Sequence, residues 1–223
     1  MKGTPLTDPI VDYLNRMFPV EDPLLAELRA EAEKAGIPPI QISPEQGAFM
    51  QVLLRGTGAR RVIEIGTLAG YSAIIMARAL PEDGRIVTVE RDPFHADFAR
   101  EYIRKAGLEK RIEVRTGAAA DTLERELKDS GPYDFAFIDA DKPGYARYLE
   151  LLIPMMRTGG MIAGDNALAW GLIADDAGTI EEAGNRENVL GMQAFNTAMA
   201  SHPRLQSSIV PVGDGMCIGV VIP

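Results

Sequence analysis

Two stretches of the chain set acids directly behind apolar runs. One is "FAFIDADK", which ends in Asp139, Ala140, Asp141 and Lys142; the other is "MIAGDN", which ends in Asp165 and Asn166. Short continuous apolar runs read as strands buried in a sheet, so these acids mark the ends of core strands. Adjacent parallel strands lie about 4.8 Å apart, which lets Asp139, Asp165 and Asn166 converge three oxygen atoms on one point. Hard divalent cations such as Mg²⁺ take oxygen ligands in octahedral geometry, with Ca²⁺ or Mn²⁺ as alternatives. Three protein oxygens leave room for two vicinal oxygens of a substrate and a water. Lys142 follows Asp139 by three residues. A cation beside a lysine disfavours the ammonium form, so Lys142 could take a proton from a nearby hydroxyl. The oxyanion so formed could attack a methyl group held in line with it. The plain alternative is that Lys142 pairs with Asp141 at the surface. Asp141 in turn either joins the site or caps the next helix.

A second set of residues points to a nucleoside. The run "VIEIGTLAGYS" is a strand followed by a glycine turn, with Glu64 two residues before Gly66. It lacks the G-x-G-x-x-G dinucleotide fingerprint, which weakens an NAD oxidoreductase reading. A carboxylate at Glu64 would oppose a pyrophosphate but suits a ligand with an ammonium and a sulfonium group; S-adenosylmethionine is such a ligand. The next strand, "RIVTVE", ends in Glu90, where an acid commonly accepts hydrogen bonds from ribose hydroxyls. Either acid alone could be an ordinary strand-end residue; the two with the glycine turn between them form a pattern.

A particular scaffold must carry these residues. From Arg61 onward, short apolar strands ("RVIEIG", "RIVTVE", "RIEVRTG", "YDFAFIDA", "GGMIAGDN") alternate with helical patterns. This alternation predicts parallel βαβ units with helices on both faces of the sheet. The ending "SSIVPVGDGMCIGVVIP" predicts two antiparallel strands joined at Gly213-Asp214-Gly215. Ahead of the first strand lie three helical segments. Asp8 and Asp22 are read as N-caps, each followed by proline, and Ser43 and Gln46 form a capping box. Ile10, Tyr13, Leu14 and Met17 share one stripe of the first helix. The expected organisation is one domain over 1–223, with a helical segment to about 57 and an α/β core over 58–223. The acidic, glycine-containing run 171–192 reads as a surface segment able to act as a lid.

With 46% hydrophobic and 25% charged residues, the composition is that of a globular protein. The formal net charge of −9 opposes general binding to phosphate backbones. The single cysteine, Cys217, sits in an apolar run and reads as an inert core thiol in a reducing compartment. The first residues, "MKGTPLTDPI", lack the apolar stretch of a secretory leader, and no run has the length of a membrane span. A soluble cytoplasmic protein is expected. His95 and His202 join no cluster, so neither is read as a base or a metal ligand.

Taken together and in order, "QISPEQGAFMQVLL", "VIEIGTLAGYSAIIMARALPEDGRIVTVERDP", "FIDADKPGY", "RTGGMIAGDN" and "VPVGDGM" resemble the cation-dependent class I O-methyltransferases of the caffeoyl-coenzyme A and catechol type, bacterial members above all. The likeness runs from about Ile40 to the C-terminus. It implies a doubly wound, Rossmann-like sheet of seven strands, mostly parallel, with the last strand antiparallel. It implies that Glu64 approaches the methionyl amino group, that Gly66 and Ser72 line the same pocket and that Glu90 holds the ribose. Ile42, Gly117 and Ala119 fall where the family contacts the methionine portion and the adenine, and Asp139 borders the cofactor. Asp139, Asp165 and Asn166 become cation ligands, and Lys142 the base. The implied acceptor is a catechol-like small molecule, and the implied assembly is a homodimer built partly through N-terminal helices. Members often carry a tryptophan three residues after the asparagine. That position is Ala169 here and Trp170 follows, so the aromatic wall for the acceptor is shifted or absent and Trp170 alternatively packs in the core. Two other readings stay open. Some relatives methylate a hydroxylated uridine in transfer RNA, and a non-catalytic S-adenosylmethionine-binding module would keep the same fold.

Overall fold

The computed structural model describes Thr4 and residues 6–223; residues 1–3 and 5, part of the stretch read above for a leader, lie outside the described residues. Seven strands form one sheet in the order β3-β2-β1-β4-β5-β7-β6. They are β1 (Arg61–Ile65), β2 (Arg85–Glu90), β3 (Ile112–Thr116), β4 (Tyr133–Ile138), β5 (Met156–Gly164), β6 (Leu205–Val210) and β7 (Met216–Val221). The first five run parallel, and β7 runs antiparallel between β5 and β6. The doubly wound sheet expected from the alternating pattern, closed by the hairpin at Gly213-Asp214-Gly215, is therefore the fold.

The period-two alternation of the strands splits the core into two layers. On β1, Val62 faces one apolar cluster while Ile63 and Ile65 face the other; on β4, Phe135 and Phe137 oppose Ala136 and Ile138 in the same way. The first layer is covered by α2 (Pro23–Lys34), α3 (Pro44–Gly56), α4 (Tyr71–Ala79) and α5 (Pro93–Lys105). The second is covered by α6 (Ala119–Thr122) with the π turn that continues it, α7 (Tyr145–Leu152) and α8 (Ala183–Ser201). The chain changes layer after β3, so the strand order reverses between the neighbours β1 and β4. That strand-order switch opens a crevice at the carboxyl edge, where such sheets bind ligands.

Local devices start the N-terminal helices largely as read. Asp22 accepts the Leu25 amide at 3.0 Å ahead of Pro23. Ser43 and Gln46 make a reciprocal capping box. In α1 (Asp8–Met17) the reading is corrected: Asp8 is the first helical residue, Thr7 holds the N-cap position, and no side-chain cap bond forms. The stripe read on α1 is only partly covered. No residue of that helix is buried, and Tyr13 and Met17 stand half exposed beside Phe18. The segment 171–192 is not one loop, since residues from Ala183 onward belong to α8, whose Val189 and Met192 are buried. Cys217 is free and buried, and burial pushes its thiol up to about 12. Among the described residues, no helix is long and apolar enough to cross a membrane.

Candidate functional site

A cleft of about 760 Å³ opens on the carboxyl edge, straddling the β1–β4 switch. Ile42, Gly66, Ser72, Glu90, Gly117, Ala119, Asp139, Lys142 and Asn166 all line it. Glu64 and Asp165 do not; each is buried just behind the wall.

The glycine-turn end is built to display one carboxylate and to bury another. Glu90 ends β2 and is fixed by two backbone donors, Leu68 N at 2.8 Å and Asp92 N at 3.0 Å. Its remaining lone pairs are free for hydroxyl groups. Glu64 shares the β1 face of Val62, beneath the start of α4. It accepts from Ser72 Oγ at 2.5 Å and Thr88 Oγ1 at 2.6 Å. Burial outweighs these hydroxyls and pushes its carboxyl up to about 8. The turn between them passes Gly66 close against the backbone of Asp139, and Gly66 N donates to Val89 O at 2.9 Å.

The other end gathers the acids first singled out. Asp139 N donates to Ile65 O at 2.8 Å and Asp165 N donates to Ile138 O at 3.0 Å. The parallel ladder thus continues one residue past each strand and sets the two acids on neighbouring chain ends. Burial, and then the negative charge of Asp139, pushes the Asp165 carboxyl up to about 7. Asn166 adopts a left-handed φ of 58° and donates Nδ2 to Asp214 Oδ2 at 3.2 Å, which leaves its amide oxygen as an acceptor. Among the described residues, no three His, Cys, Asp or Glu side chains cluster to hold a metal ion. A cation here has two carboxylates and an amide oxygen to draw on. That hard-oxygen set fits Mg²⁺, Ca²⁺ or Mn²⁺. The mutual repulsion expressed at Asp165 is what a bound cation would relieve.

Lys142 sits within this group. It is 8% exposed, and Nζ donates to Asp139 Oδ1 at 3.1 Å and to Tyr145 Oη at 2.8 Å. The surface pairing with Asp141 is not what forms. Asp141 instead accepts from Tyr148 Oη at 2.7 Å and makes no side-chain cap. Gly191 of α8 packs directly on the Lys142 carbonyl, a close approach that only a glycine permits without displacing the backbone. The helix beginning inside 171–192 therefore braces the lysine.

Several residues of the site carried no signal in the sequence reading. Gln46, identified there only as half of a capping box, sends Nε2 to Asp165 Oδ1 at 2.5 Å. Tyr145 and Tyr148, spaced as ordinary helix residues, partner Lys142 and Asp141. His95 does line the cleft, with Nδ1 3.9 Å from Glu90 Oε1. Trp170 is 51% exposed at the mouth rather than packed in the core.

Residues 17–221 match the family model described as O-methyltransferase. A catechol O-methyltransferase of Niastella koreensis is 39% identical, covering 94% of this chain and 95% of the relative. A catechol O-methyltransferase of Mycobacterium tuberculosis is 36% identical, covering 96% of each. An O-methyltransferase from Bacillus cereus, solved in complex with SAH, superposes with a TM-score of 0.87 at 37% identity, covering 96% of this chain and 97% of that one.

Proposed function

The chain belongs to the O-methyltransferase family, and from that membership we propose that it transfers a methyl group from S-adenosylmethionine to one hydroxyl of a catechol-like vicinal diphenol, aided by a divalent cation. The observation that carries the proposal is the meeting of Asp139, Asp165 and Asn166 with the Lys142 ammonium at one end of a cleft whose other end presents Glu90. SAH, held by the Bacillus cereus relative, is what S-adenosylmethionine becomes on losing its methyl group, which supports the cofactor assignment.

In this reading Glu90, fixed by the Leu68 and Asp92 amides, accepts from the ribose hydroxyls, with Ile42, Gly117 and Ala119 around the remainder of the nucleoside. Glu64, Gly66 and Ser72 serve the methionine portion. With its value raised to about 8, the Glu64 carboxyl is protonated at neutral pH in the ligand-free chain. A cationic amino group arriving at Ser72 favours the ionised form and expels that proton. Asp139, Asp165 and Asn166 would hold the cation, which supplies positive charge that eases ionisation of a diphenol. Beside a cation held there, Lys142 would favour its neutral amine over the ammonium, and Nζ in that form takes the proton from the reacting hydroxyl and becomes the ammonium. The phenolate oxygen then forms a bond to the methyl carbon as the carbon–sulfur bond breaks, and S-adenosylhomocysteine leaves. The test is turnover on a panel of catechols with and without chelator. Activity should fall at least tenfold in excess EDTA and return with Mg²⁺ or Mn²⁺; full turnover in chelator would remove the cation from the scheme.

The proposal extends to a homodimer. Tyr13, Met17 and Phe18 at α1 and Val52 on α3 are exposed, and α1 has no fully buried residue. Covering the exposed half to two-thirds of each side chain gains about 1–2 kcal/mol apiece, which favours a second copy over solvent. Light scattering behind size exclusion should give twice the chain mass of 24.2 kDa, and Tyr13→Asp with Phe18→Asp should return the monomer. A cytoplasmic location belongs to the same proposal, supported by the free, buried thiol of Cys217.

A further inference from the structure

The segment from Asn166 to Trp170 is strained. Asn166, Ala169 and Trp170 all adopt left-handed backbone conformations, with φ of 58°, 47° and 55°. Asparagine tolerates such angles, but alanine and tryptophan hold them only where their surroundings enforce it. Here the enforcing group lies far away in sequence. The Asp214 carboxylate, half-buried in the turn between β6 and β7, accepts the Trp170 amide at 3.0 Å to each oxygen and the Asn166 Nδ2 at 3.2 Å. The same turn accepts Leu168 N on the Asp214 carbonyl at 3.0 Å and Ala167 N on the Gly215 carbonyl at 2.9 Å. Gly215 lies so near Leu168 that a Cβ would come within 2.5 Å of it.

From this arrangement we propose that Asp214 is a positioning residue that serves both ends of the acceptor region at once. By engaging the Asn166 amide nitrogen, it turns the amide oxygen toward the cation position. By engaging the Trp170 amide, it holds the indole at the mouth of the cleft. The cation site and the acceptor wall therefore share one anchor and cannot be perturbed separately through it. The inference about Asn166 rests on the cation reading proposed above; the inference about Trp170 does not.

The chain has a single tryptophan, so its fluorescence reports Trp170 alone. Asp214→Ala and Asp214→Asn in the full chain are compared with wild type by tryptophan emission and acrylamide quenching, by Mn²⁺ titration followed through the EPR signal of free Mn²⁺, and by binding of S-adenosylhomocysteine. Second-sphere partners of metal ligands typically govern affinity by about 10–100-fold. Asp214→Ala should weaken Mn²⁺ by about that factor and shift the emission, while S-adenosylhomocysteine affinity stays within about threefold because Glu90 and its backbone donors are untouched. Asp214→Asn, which keeps one acceptor oxygen, should fall between. If Asp214→Ala loses S-adenosylhomocysteine as well, the comparison is made on Asp214→Asn. Unchanged emission together with Mn²⁺ affinity within twofold of wild type, in a variant that still binds S-adenosylhomocysteine, overturns the proposal. A wild-type chain that binds no Mn²⁺ overturns the cation reading and the Asn166 half with it; the emission shift still decides the Trp170 half.

Discussion

Replacing Lys142 by methionine should cut methyl transfer by about 10²–10⁴-fold, the usual contribution of a positioned general base, while leaving S-adenosylhomocysteine binding intact. Methionine keeps the length of the buried stem and removes only the nitrogen that reaches Asp139 and Tyr145. Tyr145 is itself locked edge-on against Phe195, with ring centroids 5.2 Å apart. Gly191 fixes the lysine backbone from the opposite side. The nitrogen is therefore held in place before any substrate arrives. Charge neutralisation of Asp139 could also explain a loss in Lys142→Met, and Lys142→Arg separates the two roles. A guanidinium neutralises Asp139 but stays protonated at any working pH. A base role predicts that arginine is as damaging as methionine; an electrostatic role predicts recovery of most of the rate. Single-turnover rates with saturating cofactor make the comparison, and turnover in Lys142→Met within tenfold of wild type would remove Lys142 from the chemistry.

The parts of this protein that were legible in its sequence are those set by near neighbours. Strand faces follow from alternation: Val62 and Ile63 point to opposite layers because the period is two. The caps at Asp22 and Ser43 are contacts spanning three residues. Asp139 and Asp165 could be paired because each sits one step past an apolar run, and parallel strands keep their ends in register. What escaped depends on distant contacts. Gln46 reaches Asp165 across 119 positions and Asp214 reaches Asn166 across 48; neither has a local pattern that announces it. The stripe of α1 formed as read but stays partly uncovered, with Tyr13 and Met17 half exposed. Amphipathic spacing says that a face wants covering, not that the same chain covers it. Glu64 stands out because an acid sits inside an apolar strand run. Its place on the Val62 face of β1 sets it behind Ser72, whose hydroxyl it accepts.

Glycine at position 66 should prove as indispensable as the lysine, for structural reasons. Two separate demands fall on that position. Its φ of 100° lies in a region that L side chains rarely adopt. A Cβ there would also run into the carbonyl oxygen of Asp139, which is backbone and cannot rotate away. Relief would require β1 and β4 to part at the residue that carries one of the proposed cation ligands, against the bond from Asp139 N to Ile65 O. Gly36 separates the two demands, since its φ is 85° but a Cβ would meet nothing within 4 Å. Gly36→Ala should cost only the conformational strain, about 1–2 kcal/mol, or roughly 2–8 °C in melting temperature for a chain of this size. Gly66→Ala should cost about 2–4 kcal/mol or more, lowering the melting temperature by roughly 5–15 °C, and should also lose S-adenosylhomocysteine, because displacing Asp139 or the turn reshapes both ends of the cleft. If the two variants melt together and both bind the nucleoside, the close crossing of Gly66 over Asp139 is not what joins the cofactor end to the acids.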